Sequence, residues 1–332
     1  MFPWVVRLSI LPLYMAMSMR KGNKHKTYRH ALVTGASGFI GRVLCHYLLE
    51  QGVQVTAISR TSYPMPAFSA DQYVSHRLDI CKNSLPEAWW KGVDIVFHLA
   101  GVAHAGKASQ IPDSEYQSVN VEATDALLAQ AVLHNVKRFI YFSSVKAIEP
   151  LDRYGESKRL AENTVLTYGA QKAIKVSIVR PALVYGPQLK GNLQALQKAI
   201  QKGWFPPLPE TGNRRSLISV QDLVHAAWTI AVSPRTYNKV YTVTDGIGYS
   251  TRQIYEVLSR LSGKKPRFGF IPKWVFWLIT TLLRKSATFE KLFGSAFYPD
   301  IALSQDTGWE PRYSLWDIEQ WNSAFHVPCE YH

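Results

Sequence analysis

The stretch RFIYFSSVKAIEPLDRYGESKRLAE, residues 138–162, sets a serine, a tyrosine and a lysine where they could share one reaction. Ser143 and Ser144 end an apolar run that reads as a strand. Tyr154 and Lys158 are four residues apart and so share one face of the helix that follows. A phenol that titrates near 10 is a poor base at neutral pH, at roughly a thousandth ionised. A neighbouring ammonium favours the phenolate and lowers that pKa. A serine hydroxyl from the strand end can hold the reacting oxygen. The chemistry these types support is proton transfer at a carbon-bound oxygen while a hydride moves to or from the carbon.

Hydride needs a carrier, and the sequence upstream offers a place for one. In ALVTGASGFIG, residues 31–41, Gly35, Gly38 and Gly41 stand between a short apolar strand and a helix. The first permits a tight turn, the second a close approach of backbone to a pyrophosphate, the third close packing of helix on strand. The backbone over Ser37, Gly38, Phe39, Ile40 and Gly41 would face the phosphates, helped by the helix dipole. The next strand, in VQVTAISRTS (residues 53–62), ends at Ser59, Arg60 and Thr61 with no acid to grip a ribose 2′-hydroxyl. A guanidinium matches a 2′-phosphate bidentately, so Arg60 favours NADP(H), with NAD(H) the alternative.

Elements to carry these residues follow from hydrophobic periodicity. Strands are expected at Ala31–Val33, Val53–Ser59, Val93–Leu99, Arg138–Ser144, Lys175–Val179 and Val240–Val243. Between them run helical patterns such as GRVLCHYLLEQG, VEATDALLAQAVLHN and SKRLAENTVLTYG. Such alternation predicts an α/β fold: a Rossmann-type doubly wound parallel sheet, with a smaller C-terminal α/β part that binds substrate. Residues 30–182 would form the dinucleotide-binding domain, its sheet completed by about 215–246. The substrate-binding part would be residues 183–214 and 247–332.

The chain has 332 residues and a net charge of +14, six of the charges being Arg7, Arg20, Lys21, Lys24, Lys26 and Arg29. An anionic substrate or an acidic membrane surface would each account for this charge, and because no nucleic-acid motif accompanies it, nucleic acid is not expected. Cys45, Cys81 and Cys329 lack metal-ligand spacing, and free thiols in a reducing, cytoplasmic compartment are expected. No metal site is expected either. Residues 1–29 read as a lead before the fold, with Met15, Met17 or Met19 as the true start. The apolar stretch IPKWVFWLITTLL, from Ile271, is too short to span a bilayer and reads as a buried or partner-facing helix, with a membrane-surface contact as the alternative and no firm membrane association expected.

Taken with LDI at Asp79, VFHLAG, SVNVEAT at Asn120, IVRPALVYGP, NRRSLISVQDLV and DTGWEP, these motifs resemble the extended short-chain dehydrogenase/reductases. Within them the resemblance is to the NAD-dependent epimerase/dehydratase family acting on nucleotide sugars, from His30 to about Leu315. It implies Asp79 and Ile80 beside the adenine, with Leu99, Ala100 and Gly101 lining the cofactor. Asn120 is implied as a hydrogen-bonding residue near the site. The resemblance also places Asn192 and Arg215 on the diphosphate of a UDP-sugar, with His104 within reach of the sugar. A second diphosphate-binding arginine has no obvious counterpart in LFGSAFYPD, leaving its place vacant or taken by Arg284, Lys285 or Lys291. A homodimer is implied through the helix after VEATD and the helix carrying Tyr154.

Three reactions share the constellation. A 4,6-dehydratase needs an acid and a base beside the serine, and Val145 and Lys146 stand there instead. A 4-epimerase regenerates its cofactor and keeps it. A 4-ketoreductase exchanges cofactor each turnover, which suits NADPH and so Arg60. Resemblance to a UDP-glucose 4-epimerase-like subgroup points to reduction of a UDP-4-keto-6-deoxy-N-acetylhexosamine for surface polysaccharide, with UDP-glucose or UDP-N-acetylglucosamine 4-epimerisation as the alternative. Reduction of a hydrophobic carbonyl compound and a non-catalytic NADP-binding regulator are the readings of other classes. Only ten positions separate Ser144 from Tyr154, fewer than is usual for the family.

Overall fold

Strands that are apolar on both faces need helices on both faces, and that is the arrangement found. The structure, a computed structural model, describes residues 28–102, 111–187, 189–203, 206, 208–267, 271–282 and 286–318. Strands β1 (His30–Thr34), β2 (Gln54–Ser59), β3 (Tyr73–Arg77), β4 (Ile95–His98), β5 (Arg138–Phe142), β6 (Lys175–Pro181) and β9 (Lys239–Val243) form a seven-stranded sheet in the order β3-β2-β1-β4-β5-β6-β9. Every pairing in it is parallel. A smaller sheet of β7 (Leu183–Tyr185), β8 (Arg215–Ser219) and β10 (Gly248–Tyr249) has the order β10-β8-β7.

Helices α1 (Phe39–Glu50) and α5 (Val220–Val232) pack together on one face of the large sheet, around Leu44, Leu48, Phe97, Leu223 and Ala227. On the other face lie α2 (Ala123–Leu133) and α3 (Arg153–Ala170), around Leu127, Leu128, Phe139, Ala161 and Val165. A helical turn, Asp113–Tyr116, and a π-helical segment, Gln117–Glu122, lead into α2. The smaller core gathers α4 (Gly191–Gln201), α6 (Thr251–Leu261), α7 (Lys273–Leu282) and α8 (Ser286–Phe293) around Leu193, Tyr249, Ile254, Leu258, Phe276 and Phe293. A last helix, α9 (Ala302–Thr307), returns to β9 and α5.

Strand β3 departs from the sequence expectation. Of YVSHR only Tyr73 is buried and Val74 is exposed, because β3 is the sheet edge and has no apolar run to betray it. Arg138 is the opposite surprise, a fully buried cation at the start of β5. Its guanidinium donates to the Val176 carbonyl (2.9 Å), the Ser177 hydroxyl (2.7 Å), the Ile230 carbonyl (3.0 Å) and the Thr236 hydroxyl (2.9 Å). It thereby ties β5, β6 and α5 together through its two terminal nitrogens, which are met by backbone and hydroxyl oxygens, while Nε has no hydrogen-bond partner. Among the described residues no helix is long and apolar enough to cross a membrane.

Candidate active site

The chain turns one way from β1 into α1 and β2, and the other way from β4 onward, so a crevice opens at the carboxyl ends of β1 and β4. The glycine turn lies on its rim. Gly35 has φ +70°, and a Cβ there would stand 2.7 Å from the Ala100 nitrogen. Its own N–H donates to the Ile58 carbonyl (2.9 Å). A Cβ on Gly41 would collide with the Gly35 carbonyl oxygen. The residue that opens α1 is Gly38, and no side chain caps the helix there, leaving its first amides open to a ligand.

The loop after β4 forms the opposite wall. Leu99 N–H donates to the Thr34 carbonyl (3.2 Å) and Ala100 N–H to the Thr34 hydroxyl (3.3 Å). A Cβ on Gly101 would sit 2.9 Å from the Asn120 carboxamide oxygen and 3.3 Å from Lys158 Nζ. The loop thus passes directly over the lysine. Asn120 is buried in the π-helical segment, where its carboxamide accepts from Val102 N–H (2.9 Å) and donates to the Val102 carbonyl (3.1 Å) and the Ser157 hydroxyl (2.9 Å). Ser157 in turn donates to the Tyr154 carbonyl (2.9 Å). Asn120 is a brace between this loop and α3.

At the end of β5 the serine, tyrosine and lysine come together. The Ser144 hydroxyl hydrogen-bonds the Tyr154 phenol, and Lys158 Nζ donates to the Phe142 carbonyl (2.8 Å) and the Tyr141 hydroxyl (3.2 Å). Burial pushes the Tyr154 phenol up to about 12, against the pull of Ser144. Burial also pushes the Lys158 ammonium down to about 8, partly offset by Glu162 one helical turn on. Glu162 is itself buried and paired with Arg180 at 2.5 Å. The neighbouring Ser143 hydroxyl is buried with no hydrogen-bond partner.

The short Ser144–Tyr154 connection is braced within itself. The Asp152 side chain caps α3 by accepting from Gly155 N–H (2.8 Å) and pairs with Lys146 Nζ (2.6 Å). That ammonium stands 5.7 Å from the centre of the Tyr154 ring. The residue after Val145 is therefore a cation tied to the start of α3.

At the far end of the crevice Arg60 is exposed at the end of β2, and its carbonyl accepts from Arg77 Nε (3.1 Å). Thr61 donates to the Ser37 hydroxyl (3.0 Å), and Arg42 Nε to the Ser37 carbonyl (2.7 Å). Arg42 and Arg77 were not singled out from the sequence, because only the pairing of β3 with β2 brings Arg77 to Arg60, and only the first turn of α1 brings Arg42 to Ser37. Asp79 and Ile80 follow β3 on the same rim, with Asp79 accepting from Cys81 N–H (3.1 Å).

On the substrate side Asn192 is exposed in the first turn of α4. Arg215 opens β8, its guanidinium donating to the Glu290 carbonyl (3.0 Å) and the Thr251 hydroxyl (3.3 Å). Arg214 instead stacks on Phe297 at 4.0 Å. Burial pushes the Tyr298 phenol up, with the charge of Glu149 adding to this and that of Arg215 opposing it. His104, Arg284, Lys285 and the Lys291 side chain lie outside the described residues, as does the lead through residue 27. No three His, Cys, Asp or Glu groups among the described residues converge as a metal site.

The model of the NAD dependent epimerase/dehydratase family matches residues 31–243. The chain belongs to that family. Its relatives include a UDP-glucose 4-epimerase of Vibrio cholerae, 30% identical over 87% of this chain and 93% of that protein. A 2-alkyl-3-oxoalkanoate reductase of Stenotrophomonas maltophilia is 27% identical over 68% and 74%. Among solved structures, the UDP-glucuronic acid 4-epimerase from Bacillus cereus in complex with NAD aligns with a TM-score of 0.70 at 21% identity, over 88% of this chain and 96% of that one. This last likeness supports the Rossmann-type fold. The protein is thus an enzyme of an NAD-dependent family, and the glycine cradle, the uncapped start of α1 and the unpartnered Ser143 hydroxyl fit a dinucleotide.

Proposed function

We propose that the enzyme is an NADPH-dependent nucleotide-sugar oxidoreductase that reduces the 4-keto group of a UDP-4-keto-6-deoxy-N-acetylhexosamine, a precursor of surface polysaccharide. The observation that carries this reading is the arginine-bearing rim at the end of β2, where Arg60 is exposed, Arg77 Nε donates to the Arg60 carbonyl (3.1 Å), Arg42 Nε donates to the carbonyl of Ser37 (2.7 Å), whose hydroxyl meets Thr61 (3.0 Å), and residues 59–62 hold no carboxylate. Three guanidiniums there suit a ribose 2′-phosphate and hence a cofactor that is exchanged at every turnover. Gly35, Gly38, Gly41, Gly101 and the rim residues Asp79 and Ile80 would hold the dinucleotide, which supplies the hydride when bound.

The chain's own groups handle oxygen and proton. Ser144 holds the carbonyl oxygen, and Tyr154, protonated at neutral pH, donates the proton to it. Lys158 stabilises the phenolate left behind. Arg215 and Asn192 bind the diphosphate on the far side of the cleft. Lys146, in place of an acid, leaves no group to eliminate water from the sugar. A homodimer would form through α2 and α3, whose Leu133 and Leu160 are exposed.

A second reading, 4-epimerisation, is favoured by the Vibrio cholerae relative. The enzyme purified without added cofactor separates the two. A largely empty protein that binds NADPH at least tenfold more tightly than NADH, and loses that preference on Arg60→Ala/Arg77→Ala, supports the reductase. Tightly retained NAD that survives gel filtration overturns it in favour of the epimerase.

A further inference from the structure

We propose that the outer face of α7 seats the enzyme reversibly on an anionic lipid bilayer. The helix, KWVFWLITTL, is docked by its inner face alone. Phe276 and Thr280 are buried, and the Phe276 ring meets Phe293 edge-on at 5.2 Å between centres. The outer face is left bare, with Trp274 64%, Trp277 54%, Leu278 42%, Ile279 48% and Leu282 74% exposed. Trp274, Trp277 and Leu278 follow at three and four residues, and Leu282 is four beyond Leu278, so they form one continuous patch. A helix that is apolar all round does not normally stand against water. At ten residues this one is too short to cross a bilayer and long enough to lie in its surface. Two tryptophans at its edge suit the headgroup boundary.

Charge decides what covers the patch. Residues 257–289 contain Arg260, Lys264, Lys265, Arg267, Lys273, Arg284 and Lys285, and no Asp or Glu. The first five of these are exposed. The acids that bound this stretch are Glu256, already paired with Arg252 (2.6 Å), and Glu290 on α8, so a second copy of the same face would bring two such sets of cations together with far fewer acids to pair them. The chain's own residues 1–27 are cationic too, with Arg7, Arg20, Lys21, Lys24 and Lys26 and no acid, and would be repelled in the same way. An anionic lipid surface is the occupant that takes both the apolar face and the charge.

The test is co-sedimentation of the full-length protein with vesicles of phosphatidylglycerol mixed into phosphatidylcholine, compared with phosphatidylcholine alone. Binding to the anionic vesicles should be stronger by on the order of tenfold or more and should weaken as salt is raised. Trp274→Gln/Trp277→Gln/Leu278→Gln/Leu282→Gln, all at exposed positions, should abolish it while cofactor titration stays unchanged. Lys264→Glu/Lys265→Glu/Arg267→Glu should remove the preference for anionic lipid. Absence of vesicle binding overturns the proposal. So does undiminished binding by the quadruple variant, which would assign binding to the N-terminal lead. A wild-type oligomer that the quadruple variant dissociates, with no vesicle binding, would make the face a contact between copies and overturn it as well.

Discussion

Burial moves the two groups proposed to handle the proton in opposite directions, Tyr154 up to about 12 and Lys158 down to about 8. For ketone reduction both must start protonated, and Lys158 is the one that loses its proton first as pH rises. The reductive kcat/KM should therefore fall above pH about 8, and Lys158→Met should cost about 10²–10⁴ and flatten that limb. A pH–rate profile that keeps the limb in Lys158→Met would remove Lys158 from the proton chain. Tyr154→Phe should lose a similar factor while a cofactor titration stays as in wild type. Because Glu162 partly restores the Lys158 pKa, Glu162→Gln should move the limb to lower pH. A limb that stays put would assign Glu162 only to its pairing with Arg180.

At the scale of elements, the short connection before α3 does the positioning. Asp152 both caps the helix and holds Lys146, and a Cβ on Gly155 would stand 2.5 Å from the Lys146 carbonyl oxygen. Asp152→Ala should lose about 1 kcal/mol for the cap, and less than about 1 kcal/mol more for a half-exposed ion pair. Urea unfolding measures the sum, and no change in the midpoint would mean that water replaces both contacts. This is also where the sequence was legible and where it was not. Ser144, Tyr154 and Lys158 could be read because a strand end and a four-residue helical spacing fix them locally. The Lys146–Asp152 pair, the Asn120–Ser157 brace and the arrival of Arg77 beside Arg60 could not. Each depends on how a loop turns or how an edge strand pairs, and no periodicity records that. The six expected strands fall in the large sheet, since buried parallel strands are apolar throughout. The edge strand β3 and the three strands of the small sheet are too short or too polar to announce themselves.

For the molecule as a whole, the same burial that tunes the site makes stability depend on pH. His98 is fully buried between the Thr34 hydroxyl (2.6 Å) and the Thr124 hydroxyl (2.9 Å), bridging β1, β4 and α2. Burial, with Lys158 adding to it, lowers its pKa from 6.5 to about 3. Between those values the unfolded chain binds a proton that the folded chain refuses, so stability rises with pH across this window and is lost as pH falls below 6.5. From pH 7 to 5 this single group should remove about 2 kcal/mol. Lys158 has the same sign at higher pH: its folded value of about 8 lies below the ordinary 10.5, so its contribution to stability rises from pH 8 to 10.5. The Lys158 contribution thus grows in the range where the proposed reduction should fail, whereas Cys45 and Tyr154, both raised by burial, take stability away above pH about 9 to 10. Urea midpoints measured at pH 5, 7 and 9 alongside kcat/KM would show the balance. His98→Gln should have a lower midpoint at pH 7 but a shallower acid slope, by about one proton. An acid slope equal to that of wild type would assign the acid sensitivity to carboxylates and remove His98 from it.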